Sequence, residues 1–222
     1  MAKYIIIDDK ATFVSVKKVF SLSKLSFALL GVLCLGVVPL SAAPDVALDT
    51  LKESFTDGSV SRLYTVQKGT QVREGVSFSY HPNGKLAVEA PYKNGKLDGV
   101  FKSYYENGAL WQVIGYKEGI EEGVSMTYFE NGAKKNKEIY RKGVLDGVVE
   151  EWDDQGKIRR KLPYMRGQLH GVAKVFDDLG ALKEEMTFDK GLREGPYRRY
   201  NRGVKVLESE FQQNRCVKNC EF

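Results

Sequence analysis

Residues 99–122 read GVFKSYYENGALWQVIGYKEGIEE, and this 24-residue stretch sets the pattern for most of the chain. With its first glycine counted as position 0, position 5 is always aromatic, and glycine recurs at positions 9 and 20. Six units begin at Gly75, Gly99, Gly123, Gly147, Gly171 and Gly195, and they are called the first to the sixth unit. A fixed period of this length predicts a repeat array, in which the sixth unit is one residue shorter than the others.

Each unit is predicted to form a β-hairpin, because apolar and polar residues alternate on both sides of its central turn. In the first unit the turn is Pro82-Asn83-Gly84, and a three-residue loop that ends on glycine keeps the apolar residues on one face. The predicted cross-strand pairs are Tyr80 with Leu86, Phe78 with Val88 and Val76 with Ala90. The sixth unit lacks one turn residue, so a two-residue loop there is expected to place Tyr200 opposite Lys205.

Hairpins stacked side by side predict an all-β fold, an elongated single-layer antiparallel sheet. The aromatic residues at positions 5 and 17 are expected to form ladders that are buried between neighbouring units. The second strand of the third unit carries Lys134, Asn136 and Glu138 where its neighbours have apolar residues. The third unit is therefore predicted to be the least stable.

Residues 1–43 are predicted to be a signal peptide, which implies a periplasmic, envelope or secreted protein. An apolar run, residues 25–38, follows Lys17, Lys18 and Lys24 and is followed by Ser41-Ala42-Ala43. The run is shorter than the roughly 20 residues of a membrane span. An uncleaved anchor is the alternative, and the true start codon is expected downstream of Met1.

Residues 44–74 are predicted to hold a short helix and a capping strand. Leu48, Leu51 and Phe55 have helical spacing, and Gly58 would end the helix. The following segment resembles the second half of a unit. Six repeats then occupy residues 75–214, and residues 215–222 form a tail.

The tail contains Cys216 and Cys220. With the leader removed these are the only cysteines, and an even number in an oxidising compartment favours a disulfide between them. Two free thiols are the alternative. Cys34 lies in the leader behind Leu33, and this pattern argues against lipidation.

The net charge of +5 lies mostly in the leader, and the remainder holds 29 basic and 27 acidic residues. This balance argues against nucleic-acid binding. No enzyme, cofactor or metal site is predicted. His81 and His170 lie at different turn positions, and Asp153-Asp154 and Asp177-Asp178 occupy hairpin turns. Residues at position 23, such as Asp98 and Glu122, are expected to accept hydrogen bonds from loop amides.

One feature suggests a binding site. Successive second strands are predicted to place basic residues side by side on the outward face, beside one aromatic residue. This basic ridge consists of Trp111, Lys135, Lys137, Arg159, Lys161 and Lys183. It would dock an acidic protein or an anionic envelope polymer. The alternative is a charged edge that prevents aggregation.

The segment Tyr92-Lys-Asn-Gly95-Lys-Leu-Asp-Gly99, which recurs at Tyr116, Tyr140 and Tyr164, resembles the MORN repeat. It is most similar to the bacterial variant repeats, which include YwqK-type antitoxins. The resemblance implies a non-enzymatic scaffold for protein–protein interaction. Peripheral binding to anionic lipid and neutralisation of a partner toxin are the alternatives.

Overall fold

The structure is a computed structural model that describes residues 5–6 and 46–220. Within these residues no helix is long and apolar enough to cross a membrane. The apolar run at residues 25–38, Cys34 and the expected cleavage site lie outside the described residues. The leader therefore stays a prediction.

The described residues form β-strands and turns. The strands are β1 Ile5–Ile6, β2 Leu48–Ser54, β3 Val60–Gln67, β4 Gly75–Tyr80, β5 Leu86–Lys93, β6 Lys96–Leu97, β7 Gly99–Tyr104, β8 Leu110–Lys117, β9 Ile120–Glu121, β10 Gly123–Tyr128, β11 Lys134–Arg141, β12 Val144–Leu145, β13 Gly147–Trp152, β14 Ile158–Met165, β15 Gln168–Leu169, β16 Gly171–Phe176, β17 Leu182–Asp189, β18 Leu192–Asn201, β19 Val204–Gln212 and β20 Arg215–Lys218.

These strands make one open antiparallel sheet, which confirms the predicted fold class. The two long strands of each unit pair as a hairpin, and the second strand also pairs with the first strand of the next unit. For example, β7 pairs with β8, and β8 pairs with β10. Each short strand, such as β9, pairs with the end of the long strand before it. Each unit therefore contacts mainly its neighbours, as in other repeat arrays.

The hairpin register differs from the prediction by one bulge. The three-residue loop and the pair Tyr80–Leu86 are confirmed, with the His81 amide 2.8 Å from the Lys85 carbonyl. Ala87 is then left over, so that Ser79 faces Val88 and Ser77 faces Ala90. The predicted pairs Phe78–Val88 and Val76–Ala90 are therefore wrong. The same shift recurs in every unit, because one extra residue at the start of the second strand forms a β-bulge.

The bulge separates the apolar residues onto two faces, since residues paired across strands point to the same side. Positions 2, 4, 13, 15 and 17 form what is here called the inner face, and positions 1, 3, 5 and 14 form the outer face. Within the first five units many of the buried side chains are small ones on the inner face, such as Ser77, Ala90 and Ala173. The prediction of buried aromatic ladders on one face is wrong. The rings at positions 5 and 17 are half-buried and lie on opposite faces.

Tight turns stack along one edge of the sheet. In the first five units a non-glycine residue with positive φ precedes a glycine in this turn, for example Glu118 (φ 52°) and Gly119 (φ 84°). The Gly119 amide donates to the Leu97 carbonyl of the preceding unit at 2.7 Å, and the Glu118 amide donates to Asp98 Oδ2 at 3.1 Å. Glu122 accepts the same bond from the next turn. The predicted role of position 23 is confirmed at these residues.

The region before the array differs from the prediction. The helix expected around Leu48, Leu51 and Phe55 is wrong, because residues 48–54 form strand β2, which pairs with β3. Phe55 and Gly58 make the hydrogen bonds of a hairpin turn, so this segment is a complete but degenerate repeat. Pairing with β3 satisfies backbone groups that a helix would have left exposed on the sheet edge.

The carboxyl-terminal end follows the repeat pattern further than the sequence suggested. Tyr200 pairs with Lys205 across the turn Arg202–Gly203, as predicted for the shorter unit. The chain then turns again and pairs β20 with the end of β19. Cys216 and Cys220 are joined by a disulfide, with a Cα–Cα distance of 5.7 Å.

Candidate binding surface

The structure divides the predicted basic ridge into two rows. Four of its residues are the unpaired bulge residues of successive units and line the hairpin-loop edge: Trp111, Lys135, Arg159 and Lys183. Lys137 and Lys161 lie on the outer face, where they flank Glu150. The six residues therefore do not form one continuous surface.

Acidic neighbours neutralise several of these basic residues by ion pairing. Glu150 contacts Lys161 at 2.9 Å and Lys137 at 3.4 Å. The hydrogen bond from Lys161 is the main reason that the pKa of Glu150 lies below its usual value. Arg159 pairs with Asp153 at 2.8 Å and also with Asp178. The outer face is thus a row of ion pairs rather than a purely basic surface.

Two bulge residues keep an aromatic neighbour instead of an acid. The ammonium of Lys135 lies 5.4 Å from the centre of the Phe129 ring, a cation–π distance. Trp111 is 45% exposed and lies against Tyr105, with 6.1 Å between ring centres. Lys183 is exposed and has no ion pair within the described residues. This part of the edge can contact a partner.

The inner face carries a larger apolar feature, the carboxyl-terminal hollow, with a volume of about 400 Å³. Its apolar lining includes Leu162, Ala173, Val175, Met186, Phe188, Tyr197 and Phe211. The floor is well packed, because Phe211 is only 3% exposed. The hollow lies open on the inner face of the fourth to sixth units.

The charged side chains that line this hollow are Arg160, Glu184 and Arg193. The Arg193 guanidinium lies 5.6 Å from the centre of the Phe211 ring. Arg199 faces Glu184 across the strands, and Arg160 pairs with Glu151 at 3.3 Å. In the described part of the chain neither Arg193 nor Arg199 has an ion-pair partner. The rim therefore favours negative charge.

A smaller amino-terminal hollow, of about 180 Å³, lies at the other end of the inner face. Arg73 lies between the rings of Tyr64 and Tyr92, at 4.8 and 5.0 Å from their centres. Its guanidinium also donates to the Tyr92 hydroxyl at 3.2 Å. Ser77 lies in the lining, and its hydroxyl has no hydrogen-bond partner among the described residues.

Acids and tyrosines separate the two hollows. The Tyr140 hydroxyl donates to Glu138 Oε2 at 3.1 Å, and the Tyr116 hydroxyl donates to Glu121 Oε1 at 3.5 Å. Burial, followed by the charge of Glu138, raises the pKa of Tyr140 to about 12. The centre of the inner face is therefore polar and negative, whereas arginines mark its two ends.

Sequence reasoning missed this charge pattern, although its signal was present. Position 22 reads Arg73, Leu97, Glu121, Leu145, Leu169 and Arg193 along the array. Pairing across the tight turn places position 22 on the same side as the tyrosines at position 17, as in the pair Tyr116–Glu121.

The histidines and paired aspartates take part in turn structure. His81 Nε2 lies 2.9 Å from the Tyr104 carbonyl, and His170 Nδ1 lies 3.1 Å from Asp189 Oδ1. Asp153 accepts the amides of Gln155 and Lys157. Over the described residues no group of three or more potential metal ligands comes together.

Comparison with known proteins identifies the repeat. A family model described as the MORN repeat variant matches residues 73–94, 97–118, 145–165 and 169–190. The gap between the second and third matches contains the polar third unit, which nevertheless has the same hairpin. No curated protein matches the chain. Because the matched segments and the unmatched units between and around them share one hairpin, the chain belongs to the MORN repeat variant family.

Proposed function

We propose that this chain is an exported, non-enzymatic scaffold that binds another protein on its inner face. MORN repeats form scaffolds used for protein or membrane binding. The observation that carries the proposal is the open carboxyl-terminal hollow. A sheet normally buries its apolar face against a second layer. No described residue supplies such a layer over Met186 and its neighbours, and open apolar surface of this kind is typical of an interaction site.

The charged residues of the inner face indicate which chemical groups a partner would carry. An apolar side chain would fill the hollow beside Leu162 and Met186, and an acidic group would lie near Arg193. The centre of the face, with Glu121 and Glu138, favours a basic group. A protein segment that crosses the strands with an acidic, apolar and basic order satisfies all three regions.

The proposal assigns no reaction to the chain. The polar side chains at the turns bond to backbone groups, as His81 does to the Tyr104 carbonyl. Export rests on the predicted leader. Mass spectrometry of the protein from its native cells should find an amino terminus near Ala43, and a full-length chain in the cytosol would contradict export.

The binding experiment compares two faces of the fifth unit. The purified protein with Met186→Ser is used to capture partners from native envelope extract, beside the matched variant Val172→Ser on the outer face. Val172 is 42% exposed, so its replacement leaves the inner face unchanged. A partner retained by the wild type and by Val172→Ser, but lost with Met186→Ser, supports the site. Equal retention by all three proteins contradicts it.

A second candidate is peripheral binding to anionic lipid, favoured by the exposed Trp111 beside the basic bulge residues. Replacement of Lys135, Lys137, Arg159 and Lys161 by Ser should then abolish binding to anionic vesicles. Replacement of Lys93, Lys96, Lys117 and Lys142 by Ser is the control with equal charge loss. Equal loss in both would indicate diffuse electrostatics, which weaken with salt.

The antitoxin alternative requires a cytosolic chain and a toxin to neutralise. It shares the inner face as the binding surface but contradicts export. Detection of the mature, shortened protein in the envelope would therefore decide against it.

A further inference from the structure

The array ends with the start of a repeat that is never completed. Gln213 and Asn214 have positive φ, as the residues of the other tight turns do. Cys216 then pairs with Phe211, as Leu97 pairs with Tyr92 in the first unit. Where a glycine would open the next first strand, the sequence has Lys218, and the disulfide turns the chain back.

The disulfide loop covers part of the last strand's outer edge. Asn219, inside the loop, donates from Nδ2 to the Glu208 carbonyl at 3.1 Å. Its own carbonyl accepts a 2.5 Å hydrogen bond from Ser209 Oγ, and Ser209 is only 1% exposed. In the other units the position of Glu208 pairs with the next unit, as Glu89 pairs with Lys102. Asn219 therefore occupies the place where a further strand would bind.

The rest of this edge is open. No strand within the described residues pairs with the outer edge of β19 between Val204 and Leu207, and Val204 and Val206 are 65% and 54% exposed. Lys205 and Glu208 face Tyr200 and Arg198, two residues apart on β18. Lys205 and Glu208 therefore point their backbone N–H and C=O groups to the same edge of β19. The hydrogen bond from Asn219 to the Glu208 carbonyl shows that this is the outer edge. The edge is a ready template for another strand.

We propose that the disulfide-closed loop is a removable cap on β19, and that the edge beneath it pairs with the same edge of a second copy of the chain. This surface is separate from the inner face and does not depend on what binds there.

The sequence of the edge complements itself. In an antiparallel pair related by a twofold axis, Lys205 lies opposite Glu208 of the second copy, and Glu208 lies opposite Lys205 of the second copy. Val206 lies opposite Leu207 in the same register. Opposite charges that face each other directly across strands are favourable. Within one chain Lys205 already pairs with Glu208, so the dimer exchanges this contact for the two contacts between copies. Each Glu208 keeps its contact with Arg198, at 2.8 Å, on its own chain.

The cap controls the pairing of the two copies by occupying one hydrogen-bond acceptor, the Glu208 carbonyl. While Asn219 holds the Glu208 carbonyl, that carbonyl is not available to an amide of the second copy. A dithiol reductant opens the loop by cleaving the bond between Cys216 and Cys220. The two sulfurs gain two electrons and two protons, and the dithiol becomes a disulfide. The oxidised protein is thus monomeric and the reduced protein dimerises.

The test measures molar mass against concentration by light scattering for the purified full chain. The oxidised wild type should stay monomeric, whereas Cys216→Ser/Cys220→Ser should approach twice the monomer mass as its concentration rises. Asn219→Ala keeps the disulfide and removes only the side-chain cap, so it should dimerise as well. Circular dichroism verifies that each variant is folded.

Charge variants identify the edge. In the serine background Lys205→Glu should abolish the dimer, and Lys205→Glu with Glu208→Lys should restore it. Arg202→Glu, in the adjacent turn, makes the same charge change without touching the paired edge and should leave the dimer intact. The proposal is wrong if the folded serine variant stays monomeric, or if Lys205→Glu and Arg202→Glu have the same effect.

Discussion

The third and fifth units have the same backbone and different inner faces. In both, the strands shift register at the same bulge, with Tyr128 opposite Lys134 and Phe176 opposite Leu182. The inner residues differ, because Ser125 and Glu138 pair in the third unit where Ala173 and Met186 pair in the fifth. Glycines, turns and inter-unit amide bonds therefore determine the hairpin. The inner side chains are free to vary, and they determine the surface.

The largest expected difference is in stability, when the side chain at position 15 is truncated in each of the two units. Met186→Ala should destabilise the protein by about 2 kcal/mol, the low end for such a change because the side chain is half-buried. Glu138→Ala, at the same position of the third unit, should change stability by less than about 0.5 kcal/mol. Urea unfolding of both variants measures the difference. Equal losses would show that the third unit packs as tightly as the fifth.

Local unfolding, measured by amide hydrogen exchange, should also differ between the third and fifth units. Residues 124–140 should exchange their amide hydrogens first, with an opening free energy roughly 1–2 kcal/mol below that of the fifth unit. The reason is the polar inner face of the third unit, which buries less apolar area against its neighbours. Hydrogen exchange read by mass spectrometry resolves the two segments. Uniform protection along the array would contradict this expectation.

Making the third unit resemble the fifth should reduce the difference. Glu138→Met places an apolar side chain beside Tyr140 and Ser125 and should stabilise the protein by about 1 kcal/mol. The same variant should delay exchange at residues 124–140 and leave the fifth unit unchanged. Glu130→Met, on an exposed loop of the same unit, is the control. A gain in both variants would indicate a general effect of net charge.

The last expected effect is a pH dependence to which Tyr140 of the third unit contributes. The pKa of Tyr140 is raised to about 12, from about 10 in an unfolded chain. The neutral hydroxyl therefore contributes stability that is complete below pH 10 and is lost as the pH rises towards 12. Tyr140→Phe should flatten this fall in the urea midpoint. Tyr80→Phe, on the outer face, should leave it as in the wild type.

The sequence was sufficient to predict the array because its glycines recur at turn positions. It also predicted the loop of the sixth unit, since Tyr200 and Lys205 are brought together by the loss of one turn residue. It did not predict the bulge, because one unpaired residue such as Ala87 has no distinctive composition. That single residue places Val76 and Val88 on opposite faces of the sheet. The predictions of which side is apolar depended on the register without it and are therefore wrong.

The unpredicted bulge also affected the prediction of the candidate surface. The basic ridge was predicted from a register without the bulge, which set Lys135 and Lys137 on one face. Arg73 and Arg193 were overlooked because they lie in the short segment before each first strand. Only the observed pairing places them on the inner face with Tyr92 and Phe211.

The inter-unit turn bonds have a direction. Between hairpin loops the earlier unit donates, as Asn83 Nδ2 does to the Glu106 carbonyl. Between the tight turns of the first five units the earlier unit supplies the acceptor, as Leu97 and Asp98 do, and the later unit supplies the amide, as Gly119 and Glu118 do. A unit that has just formed thus presents a prepared site for the one that follows it. A chain that emerges from a ribosome or a translocation pore amino terminus first can then fold vectorially, one hairpin at a time, each templated by its predecessor.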